Sequence, residues 1–143
     1  MRLSVTTPRG AIVEAEIDEI TAPGTLGEFG VLPGHVPMMA ALKPGILTYR
    51  AADRMTILAV GEGFLQVAPA LVGEKTTDRI LVLVDQAQGT AAIDPAAARK
   101  DLGESEALLA AWKGELDGSH QELVARRDWS LARIGAASRA TPS

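Results

Sequence analysis

Residues Pro23 to Gly45 read PGTLGEFGVLPGHVPMMAALKPG, and the reading of this stretch decides the fold. Five glycines (Gly24, Gly27, Gly30, Gly34, Gly45) and four prolines (Pro23, Pro33, Pro37, Pro44) fall among apolar residues. Glycine supplies positive-φ positions without a Cβ cost and proline fixes φ, so the density of both predicts a loop of defined shape rather than a regular element. Such a loop projects Glu28, Phe29, Leu32 and His35. Two readings stay open: a multi-turn connection between strands, or a docking loop that a partner recognises.

On both sides of it the chain reads as short strands. Arg2 to Thr7 is β-rich, and Val13, Ala15 and Ile17 alternate with Glu14, Glu16 and Asp18, the period of a strand with one dry face. Those acids are either a cation site or a solvated sheet face, and regular alternation already accounts for them. Strands are also predicted at Ile20–Ala22, Met38–Leu42, Ile46–Arg50, Met55–Val60 and from Phe64 to a stop at Pro69. Ala51 to Arg54 reads as a hairpin turn and Gly61-Glu62-Gly63 as a tight turn. Ile80 to Val84 (ILVLV) reads as a strand buried on both faces. The polar run from Gly73 to Asp78 reads as a surface hairpin tip. Eight to ten short strands with turn signals between them predict an all-β sandwich or flattened barrel.

The period then lengthens. Gln86 to Ala92 reads as a linker. Asp94-Pro95 is a helix start, with Asp as N-cap and Pro at the first helical position. Leu102, Leu109, Trp112 and Leu116 form one apolar stripe, and Asp117-Gly118 closes that helix. Ser119-His120-Gln121-Glu122 has the form of a capping box for a second helix, striped by Val124, Leu131 and Ile134 and ending near Ala137. The predicted organisation is therefore a sandwich over residues 1–88 and an antiparallel helical hairpin over 91–140, with arms of roughly 27–30 Å. Asp94 to Asp117 holds six acids and three bases, whereas Ser119 onward holds two acids and four bases. The asymmetry fits either weak pairing of two solvated faces or a basic second helix directed at an acidic partner.

Composition narrows the function. The chain has 143 residues, is 47% apolar and 3% aromatic, and carries a net charge of −4. That charge argues against a nucleic-acid surface. There is no cysteine, so disulfide frameworks and thiolate metal sites are excluded. No apolar run approaches the ~18–20 residues that span a bilayer, and the first residues show no apolar signal core. His35 and His120 lie in different modules. No metal-ligand spacing, phosphate-binding fingerprint or nucleophile motif is present. His35 has no nucleophile nearby and reads as a loop histidine bonding its neighbours. A binding or coupling module fits better than an enzyme.

The segments Gly27-Glu28-Phe29-Gly30, Val31 to Pro37, Leu42-Lys43-Pro44-Gly45 and Gly61 to Val67, in this order and with the helical tail, resemble the epsilon subunit of bacterial F-type ATP synthase over nearly the whole chain. The resemblance implies a ten-stranded β-sandwich followed by two helices, in a non-catalytic rotor subunit of the central stalk. It implies gamma and the polar loops of the c ring as partners of Glu28, Gly30, Leu32, Pro33, Gly34 and His35. It also implies contact of Arg126, Arg127 and Arg133 with the catalytic subunits when the helices extend and inhibit ATP hydrolysis. The expected location is the cytoplasmic face of the bacterial plasma membrane, peripheral and held through the complex. No cofactor is expected. Relatives that bind ATP carry an [IL]-D-x-x-R-A motif; here Ile93, Asp94 and Ala98 match, but Ala97 stands at the arginine position. Arg99 lies two residues on, about 200° around the helix, so ATP binding is expected to be weak or absent. The competing reading is a free-standing nucleotide-sensing sandwich with the hairpin as a lid.

Overall fold

The computed structural model describes residues 1–72 and 75–140, with side chains described outside 70–76 and 140. Ten strands follow one another: β1 (Arg2–Thr7), β2 (Gly10–Glu16), β3 (Glu19–Gly24), β4 (Gly27–Val31), β5 (Met38–Leu42), β6 (Gly45–Ala51), β7 (Arg54–Val60), β8 (Gly63–Val72), β9 (Lys75–Val84) and β10 (Ala87–Gly89). A 3₁₀ turn (Thr90–Ala92) leads to helices α1 (Pro95–Ala110) and α2 (Gly118–Ala140).

The strands hydrogen-bond in the order β10-β7-β6-β3-β5-β8-β9-β1-β2, with β4 added on β3. All pairings are antiparallel except β1 with β9. The path is joined in the middle by a single pair, Gly24 with Leu42. There the sheet folds over, so that Ile20, Leu47 and Leu58 of one layer meet Leu3, Leu65 and Ile80 of the other in one aliphatic core. With so few aromatics, that core is assembled from branched side chains that pack well on pleated surfaces. The expected sandwich with a C-terminal helical pair is what forms.

Several local expectations are corrected. The Pro23–Gly45 stretch is not one loop: it contains the end of β3, all of β4 and all of β5. Its glycines build a tight hairpin instead. Gly24 pairs with Gly27 around Thr25-Leu26, and Gly27 has φ 130°, a conformation that favours glycine. A Cβ on Gly24 would meet the Phe29 ring at 2.9 Å. Pro69 does not stop β8, which runs on to Val72. The neighbouring β5 ends its pairing at Val67, so beyond that point β8 has a free edge where a missing N–H costs nothing. Gln86 to Ala92 is not a linker, since Ala87–Gly89 pairs with β7. Of the polar tip expected at Gly73 to Asp78, Gly73 and Glu74 lie outside the described residues, while Lys75 to Asp78 belong to β9.

The helices differ in detail too. Asp94 caps α1 as expected, accepting from the backbone N–H groups of Ala96 and Ala97 at 3.0 and 3.3 Å. But α1 ends at Ala110, so Trp112 and Leu116 are not on its stripe. Trp112 turns back to donate from Nε1 to the Glu115 carbonyl at 3.1 Å and meets His120 edge-on at 5.5 Å between centroids. Asp117, not Ser119, caps α2, accepting from the N–H groups of Ser119 and His120. The buried face of α2 is Trp129, Ala132 and Ala136; Leu131 is exposed, and the helix continues to Ala140 rather than stopping near Ala137. The arms are therefore unequal, about 24 and 34 Å at 1.5 Å per residue.

Candidate functional site: a bare sheet face and a latched helical pair

The two layers have different outer faces. On the β6–β7 layer, Ile46, Ile57 and Ala59 point outward and are covered by Trp129, Ala132 and Ala136 of α2, with Ile93 closing the end. Gly135 allows the close approach, since a Cβ there would lie 2.9 Å from Ile46 Cδ1. On the β5–β8–β9 layer nothing among the described residues covers the outward side chains. Ala41, Phe64 and Leu83 stand in one cross-strand row, with Met39 and Leu81 in the adjoining one. Met39 is 66% exposed, Phe64 54% and Leu83 47%. The ILVLV strand is thus buried on one face only, against the two-sided burial its composition predicts. A contiguous exposed apolar patch of this kind marks an interaction surface.

The turn Leu32-Pro33-Gly34-His35 extends this face at its Met39 end. His35 N–H donates to the Leu32 carbonyl at 3.1 Å, and Gly34 has φ 86°, the requirement of a proline-glycine type II turn. Gly34 N–H is tied to the Asp78 carboxylate at 2.7 Å, which fixes the turn to the start of β9. His35 Nδ1 lies 2.7 Å from the Val36 carbonyl, a local bond to its neighbour. Leu32 and Val36 remain 59% and 69% exposed. Glu28 and Gly30 lie on β4, and the structure does not bring Glu28 to the turn. It stands four strand positions from Leu32, about 13 Å. There it borders a groove shared with Lys43 and, on α2, Asp128, Leu131 and Arg139.

The acids of the second strand region are engaged at home. Glu14 meets Arg2, Glu16 the N-terminal amine, and Asp18 meets Arg50 and the Ala52 N–H. Among the described residues no cluster could hold a metal ion.

The hairpin carries the other feature. α1 packs chiefly on α2 and not on the sheet. The contact is close because Ala98, Ser105 and Ser130 are small and fully buried; both serine hydroxyls bond back to their own helix. Over this seam Arg126 reaches Asp101 at 3.2 Å and Glu104 at 2.8 Å, and Arg133 reaches Asp101 at 2.9 Å. The guanidinium of Arg133, and then that of Arg126, holds the Asp101 carboxyl below the usual carboxylate range. Arg126 is raised in turn by its bonds to Asp101 and Glu104. Arg133 also lies over the Trp129 ring, 5.7 Å from its centroid, and its Nε is buried with no hydrogen-bond partner among the described residues. Arg127 is apart from this group and pairs with Asp128 beside it. Charge asymmetry signalled both the arginines and an acidic first arm to pair with them, as Arg126 and Arg133 do with Asp101 and Glu104; it did not say which acids, and the bare apolar row carried no comparable signal.

Of the residues considered for a nucleotide, Ile93 is buried in the small core under α2, Asp94 is occupied as the N-cap of α1, and Arg99 is exposed.

A two-layer sandwich with one apolar outer face left bare among the described residues, and a helical pair packed on the other layer, has the form of a docking module. The family model "ATP synthase, Delta/Epsilon chain, beta-sandwich domain" matches residues 1–90. The chain is similar to ATP synthase epsilon chain 2 of Syntrophotalea carbinolica, 37% identical over 97% of this chain and 94% of that one. It is 39% identical to the epsilon chain of Anaeromyxobacter sp. strain K over 97% and 98% of the two chains. Among solved structures, a chain of the Euglena gracilis mitochondrial ATP synthase (OSCP/F1/c-ring) superposes with TM-score 0.74 at 23% identity, covering 95% of this chain and 79% of that one. A chain of the Tetrahymena thermophila central stalk and c-ring superposes with TM-score 0.52 at 16% identity, over 99% and 96%. At these identities the two structures establish the fold alone. The chain belongs to the ATP synthase delta/epsilon chain family, and its full-length relatives are epsilon chains. Among the described residues no helix is long and apolar enough to cross a membrane.

Proposed function

We propose that the chain is a non-catalytic rotor subunit in the central stalk of a proton-translocating ATP synthase, coupling proton flow to ATP synthesis. The observation that carries this reading is the bare apolar patch of Met39, Phe64 and Leu83, continued by the Leu32–His35 turn, in a chain whose relatives are epsilon chains. That face docks on gamma, and the turn meets the polar loops of the c ring. Glu28 and Gly30 on β4 supply a separate contact point. The membrane location, at the cytoplasmic face of the bacterial plasma membrane, follows from the complex. Affinity capture of the tagged chain from gently solubilised native membranes is expected to recover gamma, the catalytic subunits and the c ring. Recovery of none of them, with the complex intact elsewhere in the extract, overturns the reading.

The helices are the regulatory part. Extended, they inhibit ATP hydrolysis, with Arg126, Arg127 and Arg133 meeting the alpha and beta catalytic subunits; packed on the sandwich, they do not. The functional boundary between the sandwich, 1–88, and the hairpin, 91–140, is best tested just past β10. A chain ending at Ala92 keeps the β10–β7 pairing, and it is expected to bind gamma and to release hydrolysis from inhibition. Unchanged inhibition removes the helices from that role. ATP is bound weakly or not at all, because Ala97 offers no guanidinium and Asp94 is already engaged. Calorimetric affinity tighter than millimolar contradicts this.

A further inference from the structure

The connection between β4 and β5 crosses one end of the sandwich with little to hold it. None of residues 32–37 is buried. Two of its hydrogen bonds are internal, His35 N–H to the Leu32 carbonyl and His35 Nδ1 with the Val36 carbonyl. Among the described residues a single hydrogen bond ties it to another part of the fold, from Gly34 N–H to the Asp78 carboxylate at 2.7 Å. That acceptor stands where the sheet runs out. β5 pairs with β8 only as far as Val67, and β1 pairs with β9 only from Arg79 onward. Pro69 and Asp78 are therefore the first pair of a two-stranded arm without a further neighbour among the described residues. Side chains alternate along a strand, so Asp78 shares a face with Ile80 and Val82, both fully buried in the core. Its carboxylate projects from the inner face of the arm, just past the end of the core, where the turn passes. Within the turn Pro33 has no N–H and that of His35 closes it, so Gly34 offers the donor by which its orientation is fixed. A carboxylate accepting from a backbone N–H makes a charge-assisted bond, shorter and stronger than a neutral one.

We propose that Asp78 is a positioning residue for contact with the c ring: from the root of the β8–β9 arm it sets the direction of the Leu32–His35 turn, so that the turn reaches the ring's polar loops already oriented. The inference rests on the rotor reading and deepens it. The geometry of the turn has two separate sources. Pro33 and Gly34 fix its internal shape, whereas Asp78 fixes its direction relative to the sheet. Without the carboxylate the turn keeps its type II form but swings on its exposed flanks. Association with a partner then has to order it, a cost that the bond to Asp78 meets in advance. Asp78 acts through Gly34 and touches nothing on the ring itself.

Two measurements on the full chain separate the positioning from its use. The first is amide hydrogen exchange at Gly34, followed by NMR in the isolated chain. Asp78→Ala is expected to speed it about ten-fold, the scale of one hydrogen bond to a charged acceptor. Asp78→Asn keeps an acceptor oxygen and is expected to restore most of the protection. Arg79→Gln, on the outer face of the same strand, is expected to leave the exchange unchanged. The second is the affinity of the purified pair of this chain and gamma for detergent-solubilised c ring. Asp78→Ala is expected to weaken it about ten-fold by the same bond, and Asp78→Asn to recover most of it, with melting of the sandwich and binding of gamma unchanged. Exchange at Gly34 that is equal in Asp78→Ala and the unaltered chain overturns the proposal, as does faster exchange with undiminished affinity for the ring. An Asp78→Asn variant that protects Gly34 yet binds the ring as weakly as Asp78→Ala also overturns it, because charge and not orientation would then be what the ring reads. An unaltered pair that does not bind the ring at all contradicts the rotor reading, and the proposal falls with it whatever the exchange shows.

Discussion

The two outer faces of the sandwich are built from the same kinds of residue and meet opposite fates. On the β6–β7 layer, Ile46, Ile57 and Ala59 lie beneath α2. On the β5–β8–β9 layer, Met39, Phe64 and Leu83 are left to solvent. The chain carries one helical cover for two apolar faces. The difference lies in fit: Ala132, Gly135 and Ala136 let α2 settle closely on β6, and Trp129 fills the remaining gap. The uncovered face is the one proposed above to dock on gamma, and the covered one is the face proposed to open when the helices extend.

The largest expected effect breaks the contrast from the bare side. Phe64→Glu with Leu83→Glu places two charges at the centre of the proposed gamma contact. It should weaken gamma binding by about 1,000-fold, the scale of two interface hot spots. Melting of the isolated chain should change little, because both side chains already face water. A variant that unfolds the chain instead would show that the face belongs to the core. Trp129→Ala should act the other way. It empties the small core under α2 at a cost of about 3 kcal/mol, releasing both helices from the sandwich while gamma binding persists. Circular dichroism should lose helix signal while the sandwich transition remains.

A smaller effect sharpens the comparison. Gly135→Leu drives a side chain into Ile46 and should weaken docking of α2 by about 1 kcal/mol, overpacking partly offset by better helix propensity. The smallest effect is that of acid. Asp101 titrates below the usual carboxylate range in the closed hairpin, so closure favours its ionised form. Its contribution is fully present above about pH 4, where an unfolded aspartate is ionised. It is lost as pH falls through the lower value held in the hairpin. Trp fluorescence should therefore report hairpin loosening below about pH 4, and Asp101→Asn should remove that step. An unchanged acid profile in the variant would assign the step to other groups.

The sandwich was legible where local signals were complete. Alternation in β1 and β2, the hairpin between β6 and β7, and the Asp94-Pro95 start of α1 all stand where pattern and turn chemistry put them. Elsewhere tertiary context prevailed. Glycines at Gly24 and Gly27 signalled a break, yet they make a two-residue turn inside a strand pair. Pro69 looks like a terminator but sits on a stretch of β8 whose neighbour has already ended. The apolar run ILVLV predicts burial on both sides, and the exposure of Leu83 is visible only once its cross-strand neighbours are known. The stripe expected on α2 from Val124, Leu131 and Ile134 gave way to Trp129, Ala132 and Ala136, because the two alanines let the helix approach the sheet and Trp129 fills the space beside them. The arginines were visible in the charge asymmetry. Their sharing of Asp101 depends on the register of two helices, which one helix at a time does not carry.

The most direct test of the account compares two methionines within one molecule. Met39 lies on the bare face and Met55 on β7 of the opposite layer, 66% and 53% exposed. Hydroxyl-radical footprinting of the isolated chain and of the purified ATP synthase containing it would read both at once. The account predicts similar oxidation of the two in the isolated chain, and strong protection of Met39, with Phe64 and Leu83, but not of Met55 in the complex. Equal oxidation of Met39 in the two states would contradict it, because the bare face would then be bare in the complex as well.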